Sequence, residues 1–211
     1  MNTRVISITR QVGSAGEEVA AATAERMGWR LVDYQVIQRA SQEAGVSVEA
    51  VTEAEHTPSL VTRILEALAR NPSVPVAAWA DPLPLATNPL STSSDYRKMI
   101  EDVLKEMAEQ GNAVVVGHAS GVILRERLDT LRVMVCGSVP FRVRRIRANM
   151  KVDEEAALKT VKRSDQERVD YFHRFYHAGF LDPFGYDLCI NTDHLNPEQA
   201  ADLIVKAAAL R

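Results

Sequence analysis

The chain has 211 residues, 46% hydrophobic and 25% charged, a globular composition long enough to bury a full core. Its formal charge of −3 and pI near 6.0 give no global pull toward nucleic acid or an anionic membrane surface. No apolar run reaches the roughly 20 residues that span a bilayer, and Met1 leads into a strand-like run without the apolar core of a secretory signal, so the expected location is cytoplasmic.

Val5 to Thr9 is short, β-branched and followed by a turn, which predicts a buried strand. Glu17 to Met27 predicts a helix with Gly28 as its C-cap. "WRLVDYQVIQRASQEAG" reads as a short extended piece and a helix closed by Gly45. "SVEAVTEAEHTP" offers Ser47 as a cap before a helical turn or two, stopped at Pro58, and "SLVTRILEALARNP" is helical up to Pro72. From Pro72 to Pro89 the chain carries most of its proline, which predicts a loop or irregular insert. That insert is either a surface excursion or, because it is apolar and contains Trp79, a cover over a cleft or a subunit contact in a possible homodimer. "STSSDYRKMIEDVLKEMAEQG" is a serine-capped helix ended by Gly111, Ala113 to Val116 is the second clear strand, and "TLRVMVCG" is the third. A helix follows with Pro140 near its first turn, then a long charged and finally aromatic helix. "DLCINT" is the fourth strand and "NPEQAADLIVKAAALR" a capped last helix. The two cysteines, Cys136 and Cys189, lie in apolar runs without metal-ligand spacing and read as buried, reduced thiols; no metal site is expected from the residues themselves.

Apolar strands alternating with helices predict an α/β architecture: a parallel sheet with helices on both faces. Ligands of such sheets bind at the carboxyl ends of the strands. Three stretches fall there: "TRQVGSAGEE", "GHASG" and "GSVPFRVRR". The first runs from strand through small residues into a helix, which offers backbone N–H groups and the positive end of a helix dipole to a phosphate.

"ISITRQVGSAGEEVAAATAERMGWRLVDYQVIQRAS" resembles the start of the cytidylate-kinase-like proteins, a branch of the P-loop nucleoside monophosphate kinases. "AVVVGHASGVILRERLDTLRVMVCGSVPFRVRRI" is similar to that family's middle, and "KRSDQERVDYFHRFYHAGFLDPFGYDLCINTDHLNPEQAADLI" to its end. The resemblance implies a P-loop NTPase-type three-layer fold in one domain, 1–211, with a mobile monophosphate arm or insert near 30–95 and a lid near 148–182. It implies ATP-dependent phosphoryl transfer to a pyrimidine monophosphate, with Mg2+. The alternative is a catalytically impaired nucleotide-binding or interaction protein that kept the fold. Small-molecule nucleotides are the expected partners, with no nucleic acid and no membrane.

Against G-x-x-x-x-G-K-[ST], Arg10 stands at the first glycine, Ala15 at the second, Gly16 at the lysine and Glu17 at the Ser/Thr. The family replaces the lysine with glycine and tends to follow it with arginine; here Glu17 follows instead. A carboxylate about 4 Å from a phosphate costs roughly 4 kcal/mol at an effective dielectric near 20, while an acid in a helix's first turn gains about 0.3–1 kcal/mol from the dipole. Glu17 therefore turns away, ligates magnesium, or marks a lost ATP site. The donor phosphate is expected on the backbone of Gly13, Ser14, Ala15 and Gly16, with Arg10 reaching it from the strand end. The resemblance places acceptor binding at Asp33 and at His118, which stands for the family's arginine. Asp33 also reads as an ordinary helix cap, and His118 grips a phosphate only when charged, near or below about pH 6.5. Arg142 joins the acceptor set from a helix that also bears Arg144, Arg145 and Arg147, which cannot all face one way. In the lid segment Arg163, Asp165 and Arg168 follow the monophosphate-kinase pattern loosely, with the arginines expected to meet transition-state charge; an internal salt bridge is the competing reading. Tyr171, Phe172, Phe175 and Tyr176 fall at helical spacing and are expected to pack rather than stack on a base.

Overall fold

The computed structural model describes residues 2–33 and 94–211. The helices expected between Gln35 and Pro72, the proline-rich segment 72–89 and most of the 30–95 arm lie outside the described residues.

Five strands form one parallel sheet: β1 (Val5–Arg10), β2 (Arg30–Val32), β3 (Ala113–Val116), β4 (Thr130–Cys136) and β5 (Leu188–Asn191), in the order β2-β3-β1-β4-β5. The central strand β1 pairs with β3 and β4, setting Ile8 opposite both Val116 and Val133. Burial on both faces explains the unbroken apolar run of β3. On one face Ile6, Ile8, Val114, Val116, Leu131, Val133 and Val135 pack against Val19, Ala20 and Ala24 of α1 (Gly16–Met27) and Ala200, Ile204 and Ala208 of α6 (Pro197–Ala209). The alternate residues face the other way. There Ser7 Oγ lies 2.7 Å from Ser120 Oγ at the start of a single-turn helix, α3 (Ser120–Ile123), and Met134 packs with Phe172 and Phe180. Helix α2 (Ser94–Gln110) covers α3 on that side, burying Met99, Val103, Leu104 and Met107. The result is the expected three-layer α/β arrangement.

Local signals set most boundaries. Gly28 ends α1 at φ 63° and Gly111 follows α2 at φ 74°. Ser138 caps α4 (Val139–Met150), with Pro140 in its first turn, and Asp153 caps α5 (Glu154–Tyr176). Asn196 and Gln199 form a capping box on α6. Helix α1 starts at Gly16, one residue before the expected Glu17. No described helix is long and apolar enough to cross a membrane.

One sequence expectation is corrected. Cys189 is exposed and Cys136 only partly buried, because β5 is the edge strand of the described sheet. An apolar neighbourhood in sequence buries a thiol only where a second layer covers that position.

Candidate phosphate-binding site

The loop after β1 is held by its own backbone. Gly13 has φ 78°, and a Cβ there would sit 2.8 Å from the backbone oxygen of Arg142, so only glycine fits. Ser14 is fully buried, its Oγ shared between the carbonyls of Gln11 (2.8 Å) and Val135 (3.1 Å). That hydroxyl is committed to the fold. Thr192, at the end of β5, donates from Oγ1 to the Ser14 carbonyl at 2.8 Å. Ala15 takes the left-handed conformation at φ 61° as the N-cap of α1, and no side chain caps that helix. The amides of Gly16, Glu17 and Glu18 therefore point out of the helix start without an intrahelical acceptor, an arrangement suited to an anion.

Arg10 crosses this helix start. A Cβ on Gly16 would lie 2.3 Å from the Arg10 Cβ, and one on Gly117 would lie 2.6 Å from an Arg10 guanidinium nitrogen. Arg10 thus fills the space above the position where a P-loop lysine would begin, and two glycines make room for it. Its Nε donates to Glu17 Oε1 at 2.9 Å. Glu17 accordingly turns onto Arg10. Glu18 is paired separately, with Arg145 of α4.

Arg168 lies on α5. Its Nη1 reaches the Ser164 carbonyl at 3.2 Å and the Ser164 hydroxyl, and it has no carboxylate ion-pair partner among the described residues. Desolvation, and after it the nearby charge of Arg10, lower its pKa to about 10, while Glu17 and Asp165 act in the opposite sense. Arg168 remains charged at neutral pH. Arg10, Glu17 and Arg168 thus share one electrostatic neighbourhood at the mouth of the loop.

The other lid residues take different places. Asp165 binds Arg142 through two bonds, 2.9 Å from Nη1 and 2.7 Å from Nη2, and accepts from Gln11 Nε2 at 3.4 Å. Arg142 is 2% exposed and also donates to the carbonyls of Gly137 and Val12. Four of its five guanidinium N–H groups are used inside the protein, so in this structure it clamps α4, α5 and the loop together rather than opening onto an acceptor. Val12 reinforces the clamp by packing among Val143, Ile146, Ala157 and Val161 of the α4–α5 hairpin. Arg163 is exposed and 3.7 Å from Glu167; the structure does not bring it to the loop. The competing expectation, an ion pair of Asp165 with an arginine of its own segment, is corrected: Asp165 pairs with Arg142 of α4 and Arg163 with Glu167.

Asp33 and His118 sit at the ends of the adjacent strands β2 and β3. Asp33 is buried. His118 follows Gly117 and precedes Ala119, all three at positive φ (80°, 54° and 52°). Burial, and after it the Arg10 charge, push the His118 pKa down to about 3. The imidazole is neutral at physiological pH and offers a hydrogen bond, not a charge. Of the aromatic set, Phe172 is buried among Ala119, Met134 and Phe180, and Tyr171 meets Phe175 and Tyr176 at ring-centroid distances of 5.1 and 5.8 Å. Arg97 of α2 covers the Phe175 ring at 3.8 Å. These rings pack, as their spacing suggested.

Sequence reasoning passed over Gln11 and Thr192. Both act by tying the loop to distant elements, and their signal was limited to their place directly after a strand. Among the described residues no group of three His, Cys, Asp or Glu could hold a metal ion. Nucleotide-borne magnesium asks less, one or two carboxylates beside the phosphates. Glu17, partly exposed at the helix start, meets that requirement.

Comparison with known proteins extends the geometry. The model of the cytidylate kinase-like family matches residues 5–194. The cytidylate kinase of Sulfolobus acidocaldarius is 27% identical over 109 residues, covering 52% of this chain and 59% of that protein. That of Sulfurisphaera tokodaii is 22% identical over 108 residues, covering 51% and 59%. The chain thus spans less than two thirds of these curated relatives' length. Among solved structures, an uncharacterized protein from Eubacterium ventriosum aligns with a TM-score of 0.68 at 19% identity, covering 99% of this chain and all of that one. The shikimate kinase of Acinetobacter baumannii aligns with a TM-score of 0.51 at 14% identity, covering 99% and 94%. TT1252 of Thermus thermophilus reaches 0.53 at 16% identity over the whole of both chains. These likenesses show an α/β fold of the P-loop NTPase type.

Proposed function

The chain belongs to the cytidylate kinase-like family, and from that premise we propose that it transfers a phosphoryl group from ATP to a nucleoside monophosphate, cytidylate-like, or a similar small acceptor. The observation that carries the reading is the uncapped start of α1 with Arg10 lying across it, and with Arg168 near enough to feel the charges of Arg10 and Glu17. The likeness to cytidylate kinases supports the nucleotide class.

Phosphoryl transfer asks a protein mainly for positioning and charge neutralisation. The donor phosphates rest on the amides at the start of α1, with Gly13 and Ala15 supplying the backbone turn. Arg10 clamps from the strand end and Arg168 from the lid. Asp165, Arg142 and Gln11 hold the loop against the lid hairpin and so position it. The acceptor lies toward Asp33 and His118, at the ends of β2 and β3, where neutral His118 contributes a hydrogen bond. Magnesium, when bound with the nucleotide, supplies charge neutralisation of its phosphates, and Glu17 is the residue that would hold it.

The test is ADP release from ATP and magnesium with a panel of nucleoside monophosphates, cytidylate first. Turnover on at least one acceptor is expected. Saturable ATP binding with no turnover on any of them would favour the second reading, a binding protein that retained the fold, which the Arg10–Glu17 pair and the neutral His118 also suit.

A further inference from the structure

Glu17 is the residue at which this loop departs furthest from a ready phosphate site. Its carboxylate is 2.9 Å from Arg10 Nε, on the cation that reaches the uncapped amides. Arg10 gives Glu17 its Nε, and the carboxylate offsets the Arg10 charge beside the amides that would hold an anion. Glu17 also belongs to the helix whose first amides would hold the anion, so its charge and the phosphate's lie on the same small region. Of the other cations, Arg145 is taken by Glu18 and Arg142 by Asp165, while Arg168 feels the Glu17 charge without forming an ion pair with it.

We propose that Glu17 is an internal competitor for the nucleotide's phosphate on Arg10, and that magnesium carried by the nucleotide relieves the competition by taking the Glu17 carboxylate. This rests on the phosphate-site reading above and adds to it a coupling. Metal-free nucleotide meets a carboxylate that offsets the Arg10 charge and repels its phosphates. With magnesium, that carboxylate gains a second cation and the Arg10 charge is left for the phosphates. Binding by this chain is then metal-coupled through one side chain.

The experiment measures the dissociation constant of ATP by calorimetry, once with a chelator and once with excess magnesium chloride. It is run on the wild type, Glu17→Gln and Glu154→Gln. Glutamine keeps the size of the side chain at a partly exposed position of the first turn, and far-ultraviolet circular dichroism checks that each variant is folded. The wild type is expected to bind with magnesium at least about tenfold more tightly than without. Glu17→Gln is expected to shrink that ratio by about fivefold or more, chiefly by tighter metal-free binding. Glu154→Gln, which removes the same charge from the exposed pair with Arg147, should leave the ratio unchanged. An unaltered ratio in Glu17→Gln, or an equal change in both variants, overturns the proposal and leaves the phosphate site standing. Absence of saturable ATP binding by every protein in both conditions overturns the phosphate-site reading and the proposal with it.

Discussion

At the scale of single residues, the loop is governed by which side chain fills which space. Gly16 stands where a P-loop lysine would, but its Cβ direction is already taken by Arg10 at 2.3 Å. Reinstating lysine should therefore damage the site: Gly16→Lys is expected to lower stability by about 1–3 kcal/mol through overpacking and to weaken ATP binding, read by urea unfolding and calorimetry. An unchanged stability with tighter binding would mean that Arg10 does not occupy this space. His118 gives a pH signature. Its folded pKa, about 3, lies below the ordinary imidazole value, so between them the unfolded chain binds the extra proton. The stabilisation from neutral His118 is present above about pH 6.5 and lost as pH falls toward the folded value. Wild-type unfolding free energy is expected to drop more steeply between about pH 6.5 and 4 than that of His118→Asn, whose side chain tolerates the positive φ. Parallel curves in urea titrations across that range would contradict the assignment. The partner of Glu17 was not legible in the sequence, because a strand end seven residues back meets the helix start only once the loop has turned through Gly13 and Ala15.

At the scale of elements, the α4–α5 hairpin and the loop form one unit. Arg142 reads in sequence as one of several arginines on a basic helix, and only the crossing of α4 and α5 turns it into a buried clamp on Asp165. Removing one member of such a pair leaves the other charge unmatched, so Asp165→Asn is expected to cost about 2–4 kcal/mol by chemical denaturation. Arg163→Ala, which breaks only an exposed i,i+4 contact, should cost no more than about 0.5 kcal/mol. Similar costs for both would show that the Arg142–Asp165 geometry carries no weight. The strands and helix caps were far more legible, since Ala113–Val116, Gly28, Ser138–Pro140 and Asn196 each announce themselves through local chemistry. The single turn at Ser120–Ile123 was missed because four residues carry no periodicity, and it is fixed instead by the buried Ser7–Ser120 contact.

At the scale of the molecule, the parallel sheet β2-β3-β1-β4-β5 brings the loops after β1, β3 and β4 to one edge. The sequence predicted that convergence from alternating apolar strands and helices. It could not distribute the cations, because Arg10, Arg142, Arg163 and Arg168 differ in burial and partners, not in residue type. The central claim is that this edge binds the phosphates of ATP through the start of α1, with Arg10 and Arg168 as clamps. Calorimetric titration of ATP with magnesium into the wild type, Arg168→Ala and Arg163→Ala tests it most directly. The account predicts saturable wild-type binding, weakened at least about tenfold in Arg168→Ala by loss of a charge-assisted contact and unchanged in Arg163→Ala. Absence of wild-type binding, or equal binding by all three proteins, would contradict it.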